Sequence, residues 1–270
     1  MSYSFGIRSD DVTLGTYVGQ LVRSLEGGAE PEPEHWYSLQ HTATGLDLFL
    51  DDGCIAQLST ESAAIEWLLW DINRAVAEAS SHLLELHAGA VQAGTEGIVF
   101  PAPSGSGKST LVAGLVRQGL RYLTDELVCL SDDGTTLLPY PKPIALKGAS
   151  IKLFRTDDVA ADSERFLGEE WYLRPDDLGA DVIGGPCRPS LIVLPRYQPG
   201  KDTALRRLSD TETFLALALN SVNLDAHGER GTELIADLIA RCPAYELVMS
   251  DLGAACALVL GLVTRPGHPE

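Results

Sequence analysis

The chain has 270 residues, 45% of them hydrophobic, which is enough for one large core or for a main domain with a smaller one attached. Its 20 basic and 38 acidic side chains give a formal net charge of −18 at pH 7. This balance argues against a nucleic-acid partner, because a phosphate backbone needs a basic face.

The N-terminus and the cysteines indicate the compartment. The first residues, MSYSFGIRSDDV, have no basic segment followed by an apolar core, and no apolar run reaches membrane-spanning length. The cysteines at 54, 129, 187, 242 and 256 have no C-x-x-C spacing, as expected of reduced thiols in a cytosolic protein. We therefore expect a soluble, cytoplasmic protein with no membrane partner.

The first predicted unit, residues 1–83, is a small α+β unit. The stretch WYSLQHTATGLDLFLDDGCIAQLS alternates around turn signals at Gly45 and 52–53, which predicts antiparallel strands. From Glu61 the apolar residues recur at helical spacing, and Thr60 or Ser62 can cap this helix.

The second predicted unit, residues 84–270, alternates strands with helices. LLELHAGAVQ and GIVFPA predict a hairpin, followed by a helix over 109–118 and a strand at RYLTDELVCL. Further strand-like segments come next, and DTETFLALALNS and ERGTELIADLIARC are helical. This order predicts an α/β domain.

A phosphate-binding turn lies between the strand GIVFPA and the helix that follows it. Residues 102–109 read Ala-Pro-Ser-Gly-Ser-Gly-Lys-Ser, which matches the P-loop (Walker A) template except for Ala at its first position. A Gly/Ser loop with a chance lysine would give the same letters, but the strand-to-helix context favours the P-loop.

The residue types of this turn suit a nucleotide. Gly105 and Gly107 let backbone N–H groups turn inward around phosphates, and Lys108 supplies a mobile charge for the β- and γ-phosphates. The Ser109 hydroxyl can bind Mg²⁺, and the helix N-terminus adds its positive end. Three neighbours complete the predicted nucleotide site: Ser104, Ser106 and Thr110.

Two further motifs carry ionisable groups. Asp125 and Glu126 lie within an apolar strand, where both can reach one site only at a strand end or an irregularity. A nucleotide-bound Mg²⁺ needs such a carboxylate, although a surface turn is the alternative. His87, in LELHAGAV, is by itself more typical of a hydrogen-bonded core histidine than of a catalytic one.

In this order, the His87 motif, the P-loop PSGSGKST and the segment GLRYLTDELVCL resemble the catalytic core of HPr kinase/phosphorylase. They are still more similar to the related stand-alone kinases of peptide natural-product clusters, including those that phosphorylate lasso-peptide precursors. The resemblance covers residues 85–130 and extends more loosely through PYPKPIALK, IVLPRYQPG and ALNSVN.

The resemblance implies a P-loop kinase core with a mixed sheet, akin to phosphoenolpyruvate carboxykinase, that uses ATP and Mg²⁺. It implies that Asp125 is the general base and that Glu126 binds Mg²⁺ together with Ser109. His87 would be a polar group beside the γ-phosphate. HPr kinase has Asp at the position of Glu126, and its glycine-rich second signature is missing here, which argues against HPr as substrate and against phosphorolysis.

Phosphoryl transfer also needs a cation near the transferred group. Arg196, at the end of the apolar strand LIVL, is the first candidate, and Lys147 and Arg174 are weaker ones. A surface position is the alternative for each of them.

The expected function is transfer of the γ-phosphate of ATP to a Ser or Thr hydroxyl of a peptide, a ribosomal natural-product precursor. A small-metabolite kinase and a non-catalytic nucleotide-binding module are the alternatives, and a homo-oligomer is left open. Residues 1–107 hold 3 basic and 15 acidic side chains, so this front has a net charge of 3 − 15 = −12. It is either an acceptor-recognition surface for a basic peptide or a solvated face.

Overall fold

The computed structural model describes residues 3–26, 32–155 and 168–263. The chain forms two compact units. The first contains Met1–Ser80 and Ala145–Arg174, and the second contains Ser81–Ile144 and Pro175–Glu270. The predicted division into 1–83 and 84–270 did not anticipate that the segment 145–174 groups with the N-terminal residues.

The helices and strands of the described residues are named here in chain order. They are β1 (Phe5–Ser9), α1 (Val12–Leu21), β2 (His35–Thr42), β3 (Gly45–Leu50), β4 (Gly53–Leu58), α2 (Glu61–Ala79), β5 (Leu84–Ala93), β6 (Glu96–Pro101), α3 (Lys108–Arg117), β7 (Arg121–Thr124), β8 (Leu127–Leu130), β9 (Leu137–Leu138), β10 (Ile144–Lys147), α4 (Ile151–Phe154), β11 (Glu170–Leu173), β12 (Arg188–Tyr197), β13 (Ala204–Arg207), α5 (Asp210–Leu219), α6 (Leu224–Arg241), β14 (Ala244–Met249) and α7 (Leu252–Val263).

The first unit contains a four-stranded sheet in the order β1-β2-β3-β4. The strands β2, β3 and β4 form the predicted antiparallel meander, and β1 adds to β2 in parallel. Helix α2 packs against β3 and β4 and buries Ile65, Leu68 and Ile72. Its N-cap is Thr60, whose Oγ1 accepts a hydrogen bond from the Ala63 N–H at 3.2 Å.

His41 links three elements of this unit through its imidazole ring. Its Nδ1 lies 2.8 Å from Asp10 Oδ1, just before α1, and its Nε2 lies 3.2 Å from Glu61 Oε1, at the start of α2. The Asp10 carboxylate also accepts the His41 backbone N–H at 2.8 Å. The ring therefore joins β2 to the N-terminal ends of both helices.

The second unit contains an eight-stranded sheet in the order β13-β14-β12-β6-β5-β8-β9, with β7 also paired to β5. The strand pairs β6–β12 and β12–β14 are parallel, whereas β5 is antiparallel to β6, β7 and β8. The predicted α/β fold with a mixed sheet is confirmed. Among the described residues, no helix combines the length and the apolar composition that crossing a membrane requires.

The two faces of strand β5 point toward different helices. Leu84, Leu86, Ala88 and Ala90 belong to a core cluster with residues of α5 and α6. The alternate residues, His87 and Gly89, face α3 instead. This alternation puts His87 on the same face of the sheet as the helix that begins at the P-loop.

Candidate phosphoryl-transfer site

The turn between β6 and α3 has the backbone conformation that a P-loop needs. Gly105 and Gly107 have φ values of 81° and 86°, a left-handed region that side-chain-bearing residues rarely adopt. A Cβ on Gly107 would lie 2.3 Å from Met249 Cε. The Tyr197 N–H donates to the Ser106 carbonyl at 3.0 Å, which ties the end of β12 to this turn.

Helix α3 begins at Lys108, one residue earlier than predicted, and its N-cap residue Gly107 offers no side-chain cap. The first N–H groups of a helix have no partner inside it, so the N–H groups that follow Gly107 are available to an anion. The Ser106 hydroxyl oxygen is buried with no hydrogen-bond partner in the described part of the chain. Both observations fit a turn built to receive phosphate oxygens.

Lys108 is 6% exposed, and its ammonium group is held over the turn. Its Nζ donates to the Ala102 carbonyl at 3.1 Å and lies 2.8 Å from His87 Nε2. Burial lowers the pKa of Lys108 to about 8, against the opposing charges of Asp125 and Glu126. Both of its contacts are neutral groups. A phosphate can displace a neutral partner of the lysine at lower cost than it could displace a carboxylate partner.

His87 is a hydrogen-bond acceptor for Lys108. Burial, and after it the charge of Lys108, lowers the pKa of His87 below its usual value. A neutral ring with its proton on Nδ1 satisfies the contact at Nε2. The histidine therefore positions the P-loop lysine in this structure.

The glycine next to this histidine motif brings the helix close to the sheet. A Cβ on Gly89 would lie 2.7 Å from Val112 Cγ2 and 3.2 Å from Lys108 Cγ. Any larger residue would push α3 away from β5 and move the lysine that begins the helix. In the segment His-Ala-Gly-Ala, packing against α3 thus explains Gly89, and the contact with Lys108 explains His87.

The predicted strand RYLTDELVCL is two strands, β7 and β8, with Asp125 and Glu126 at the break between them. The Thr124 hydroxyl oxygen accepts the backbone N–H groups of Glu126 and Leu127, each at 3.3 Å. The register of β5 shifts at this point, and the Glu126 carbonyl accepts the Ala88 N–H at 3.0 Å. The break supplies the irregularity that lets two adjacent carboxylates reach one site.

Asp125 is 2% exposed and lies in a cluster of polar groups. Its Oδ1 is 3.0 Å from Lys142 Nζ and 3.1 Å from the Tyr122 hydroxyl. That hydroxyl is also 2.9 Å from the Lys142 carbonyl, so one phenolic proton serves two acceptors. The lysine ammonium and the tyrosine together compensate the buried carboxylate.

Glu126 is the more exposed member of the pair, with a side chain that is 41% exposed. Its Oε2 lies 3.2 Å from Lys142 Nζ. Burial raises the pKa of Glu126, but the charge and hydrogen bond of Lys142 outweigh this and lower it overall. Both acidic residues also act on the pKa values of Lys108 and His87, which shows that the four groups share one electrostatic environment.

The predicted cation Arg196 is not brought to this cluster. It is the neighbour in β12 of Tyr197, whose Cβ approaches Gly107, and adjacent strand residues point to opposite faces. The Arg196 guanidinium instead lies 3.6 Å from Glu246, and the side chain is 62% exposed. Its role as the transition-state cation remains a prediction that no contact among the described residues supports.

The two weaker cation candidates belong to the first compact unit. Lys147 forms an ion pair with Glu170, and Arg174 donates to Gln20 Oε1 at 3.2 Å. Each has a partner there, and neither contact involves a residue of the P-loop or the acid pair.

Two residues of the cluster were not selected from the sequence, namely Lys142 and Tyr122. Lys142 stands in PYPKPIAL, where a lysine between two prolines and apolar neighbours was a signal that could have been used, because a buried lysine needs an anionic partner. Tyr122 is fully buried in β7, and the sequence alone does not distinguish it from an ordinary apolar strand residue.

The hydrogen-bond donors of this site fit the phosphates of ATP, and its oxygen ligands fit Mg²⁺. The turn offers backbone N–H groups, the buried Ser106 hydroxyl and the Lys108 ammonium to phosphates. Ser109, in the first turn of α3, and Glu126 offer hydroxyl and carboxylate oxygens, the ligand type that Mg²⁺ prefers.

No family model matches the chain, and no curated protein matches it in sequence. Among solved structures, it is similar to the HPr(Ser) kinase/phosphatase from Coxiella burnetii, with 13% identity and a TM-score of 0.34. The match covers 66% of this chain and 93% of the other. At this TM-score the likeness decides neither fold nor function.

Proposed function

We propose that the protein is an ATP-dependent kinase that transfers the γ-phosphate to a hydroxyl group of its acceptor. The observation that carries this proposal is the buried polar cluster beside the P-loop, in which Lys108 Nζ lies 2.8 Å from His87 Nε2 and Asp125 Oδ1 lies 3.0 Å from Lys142 Nζ. A turn that only bound nucleotide would need one carboxylate for Mg²⁺, which Glu126 can supply, and would have no need of a second, buried carboxylate beside it. The energetic cost of burying this carboxylate supports a catalytic role over nucleotide binding alone.

Each group has one task in this reaction. Asp125 orients the acceptor hydroxyl and takes its proton as the acceptor oxygen bonds to the γ-phosphorus. The bond from the γ-phosphorus to its bridging oxygen breaks, and ADP leaves with that electron pair. Lys108 binds the phosphates through the transfer. Ser109 and Glu126 would hold Mg²⁺, which would supply further positive charge to the phosphates.

His87 acts through Lys108. In the nucleotide-free protein its neutral ring holds the ammonium at 2.8 Å, close to where the β- and γ-phosphates would bind. His87 thus keeps the lysine in position. When a phosphate takes the place of this neutral partner, the lysine forms a stronger, charge-assisted hydrogen bond.

The acceptor we propose is a Ser or Thr side chain of a peptide, as the motif resemblance implies, and specifically a ribosomal natural-product precursor. The acidic front of the chain supports a peptide that carries Lys or Arg, because residues 1–107 have a net charge of −12. We propose cytoplasmic action, as reduced thiols and ATP chemistry suit that compartment.

The experiment is incubation of the purified protein with γ-labelled ATP, Mg²⁺ and synthetic Ser/Thr peptides of graded basic charge, with mass spectrometry of the products. We expect a phosphate adduct on a hydroxyl side chain, strongest for basic peptides. The Lys152→Met variant is the matched control for the lysine substitutions described below, because Lys152 is exposed and lies in the first unit.

Two outcomes would contradict parts of the proposal. Binding of ATP by calorimetry without any transfer to peptides or to small hydroxyl compounds would favour a regulatory nucleotide-binding module. Transfer to small hydroxyl compounds alone would keep the kinase and remove the peptide acceptor.

A further inference from the structure

Lys142 is a second buried lysine beside the proposed site, with contacts unlike those of Lys108. It is 4% exposed, and its Nζ lies 3.0 Å from Asp125 Oδ1, 3.2 Å from Glu126 Oε2 and 3.2 Å from the Pro143 carbonyl. An ammonium group has three N–H donors and no acceptor. Its three hydrogens are therefore matched by three acceptors, two of them carboxylates.

The charges explain why this arrangement is stable. Two adjacent carboxylates repel each other, and each would be costly to keep ionised next to an apolar sheet. Burial alone would lower the pKa of Lys142, but the two carboxylates raise it above its ordinary value. One cation therefore lies at hydrogen-bonding distance from both carboxylates and offsets half of their combined charge.

We propose that Lys142 is the resident cation of the acid pair, a positioning residue that holds Asp125 and Glu126 in place and weakens the binding of free divalent cations by them. This inference rests on the proposed function, because the kinase reaction assigns a base and a metal ligand to these two carboxylates. Lys142 acts through them and does not contact the phosphates.

The contrast with Lys108 supports this assignment. Lys108 has neutral partners, His87 and a carbonyl, that it can exchange for a phosphate. Lys142 would have to give up a carboxylate to do the same. An ammonium already bound to two anions is a poor phosphate ligand and a good fixed counter-ion.

A functional reason follows from this competition. A carboxylate pair without a counter-ion would bind a free divalent ion even without ATP, and the bound ion would change the orientation of the base. With Lys142 between the carboxylates, a cation that arrives with the nucleotide phosphates has an advantage over one that arrives alone. The lysine would thus make metal binding depend on ATP.

The test is Mn²⁺ binding to the nucleotide-free protein, followed by electron paramagnetic resonance of the free ion. Removing a unit positive charge next to two carboxylates should raise their cation affinity, so Lys142→Met should bind Mn²⁺ about tenfold more tightly than wild type. Lys142→Arg keeps the charge and should stay near wild type, as should the exposed control Lys152→Met. Equal or weaker Mn²⁺ binding by a folded Lys142→Met would overturn the proposal.

A second measurement covers the case in which Lys142→Met does not fold. In ¹⁵N-labelled wild-type protein, a buried ammonium bonded to three acceptors should give a protected NH₃⁺ resonance that is missing from the Lys142→Arg spectrum. Addition of Mn²⁺ should broaden it only at concentrations well above those that suffice with ATP present. Absence of a protected signal, or equal broadening with and without ATP, would contradict the inference.

These readouts separate the inference from the kinase assignment. Tighter Mn²⁺ binding by Lys142→Met, with no transfer to any acceptor by wild type, would retain the resident cation and remove the kinase. Active wild type with unchanged Mn²⁺ affinity in the variant would do the opposite. In an active enzyme, kcat should fall in Lys142→Met and recover in part in Lys142→Arg, while the KM for ATP changes little.

Discussion

A buried charge cluster in the second compact unit contrasts with a surface ion pair in the first. In the second unit, Lys108, Asp125 and Lys142 are each at most 6% exposed and gather beside the P-loop. In the first unit, the pair formed by His41, whose side chain is 36% exposed, and Asp10, whose side chain is 45% exposed, lies at the surface. The first unit also has a buried carboxylate, Asp71, which accepts a hydrogen bond from Tyr37.

The difference in burial indicates which charged groups we expect to act in the reaction. Burying an ion costs several kcal/mol before its partners compensate. A surface pair costs little and stabilises by about 0–1 kcal/mol. Substitutions in the buried cluster should therefore change function by orders of magnitude, and substitutions in the surface pairs should change stability or affinity only slightly.

The largest effect is expected for Lys108→Ala. This change removes the phosphate cation and leaves His87 without its 2.8 Å partner. Loss of one electrostatic donor costs about 10²- to 10³-fold in rate, and we expect a greater loss here because ATP binding weakens as well. Calorimetric titration with ATP and a transfer assay measure the two parts; near-normal turnover in a folded variant would contradict the P-loop assignment.

Asp125→Asn should have the next largest effect. The amide keeps the shape of the side chain but cannot take a proton, and general-base catalysis contributes about 10²- to 10⁴-fold. We expect ATP binding to persist while transfer falls by that range. If the variant instead lost affinity for Mg²⁺·ATP and kept transfer, Asp125 would be the metal ligand and Glu126 the base.

The sequence predicted the local elements of the site better than its electrostatics. The P-loop, the hairpin before it and the helix after it were predictable because turn glycines and apolar periodicity act over a few residues. The meander and α2 of the first unit were predicted for the same reason. Strand β1, helix α1 and helix α7 were not predicted. The N-terminal segment read as polar, and Asp251, whose Oδ1 accepts the Ala254 N–H at 2.7 Å, was a cap signal for α7 that was not used.

Lys142 shows what a linear reading omits. It is 16 residues beyond Glu126, and only the path of the chain through β8, β9 and the prolines returns it to the acid pair. Arg196 is a second example. Its position at a strand end was correctly recognised, but the face of the strand depends on pairing register, which puts Tyr197 toward the P-loop instead.

A smaller effect is expected from salt on the peptide acceptor. If the acidic front docks a basic peptide, exposed charges act over about 8–10 Å near physiological ionic strength and are screened beyond it. The KM for the peptide should rise several-fold between low and high salt, while the KM for ATP changes less, because Lys108 is buried. A peptide KM indifferent to salt would leave the front as a solvated face.

The smallest effect concerns His41 and tests the surface pairs of the first unit. The hydrogen bond to Asp10, together with Glu61, raises the pKa of His41, and the hydrogen bond from His41 lowers the pKa of Asp10. A raised histidine pKa stabilises the folded protein below the unfolded value of about 6.5, and this contribution disappears as the pH rises through the folded pKa. The lowered aspartate pKa stabilises above about 3.9 and is lost as the pH falls through the folded value.

The pair should therefore stabilise most between about pH 4 and 6.5. Thermal unfolding of His41→Gln from pH 4 to 9 should show a loss of less than about 1 kcal/mol that is largest in this window and shrinks above it. His82→Gln, at an exposed histidine of the second unit, is the control and should follow wild type at each pH. A loss that stayed constant across the range would mean that His41 stabilises by packing, and the contrast between buried and surface charges would then need another example.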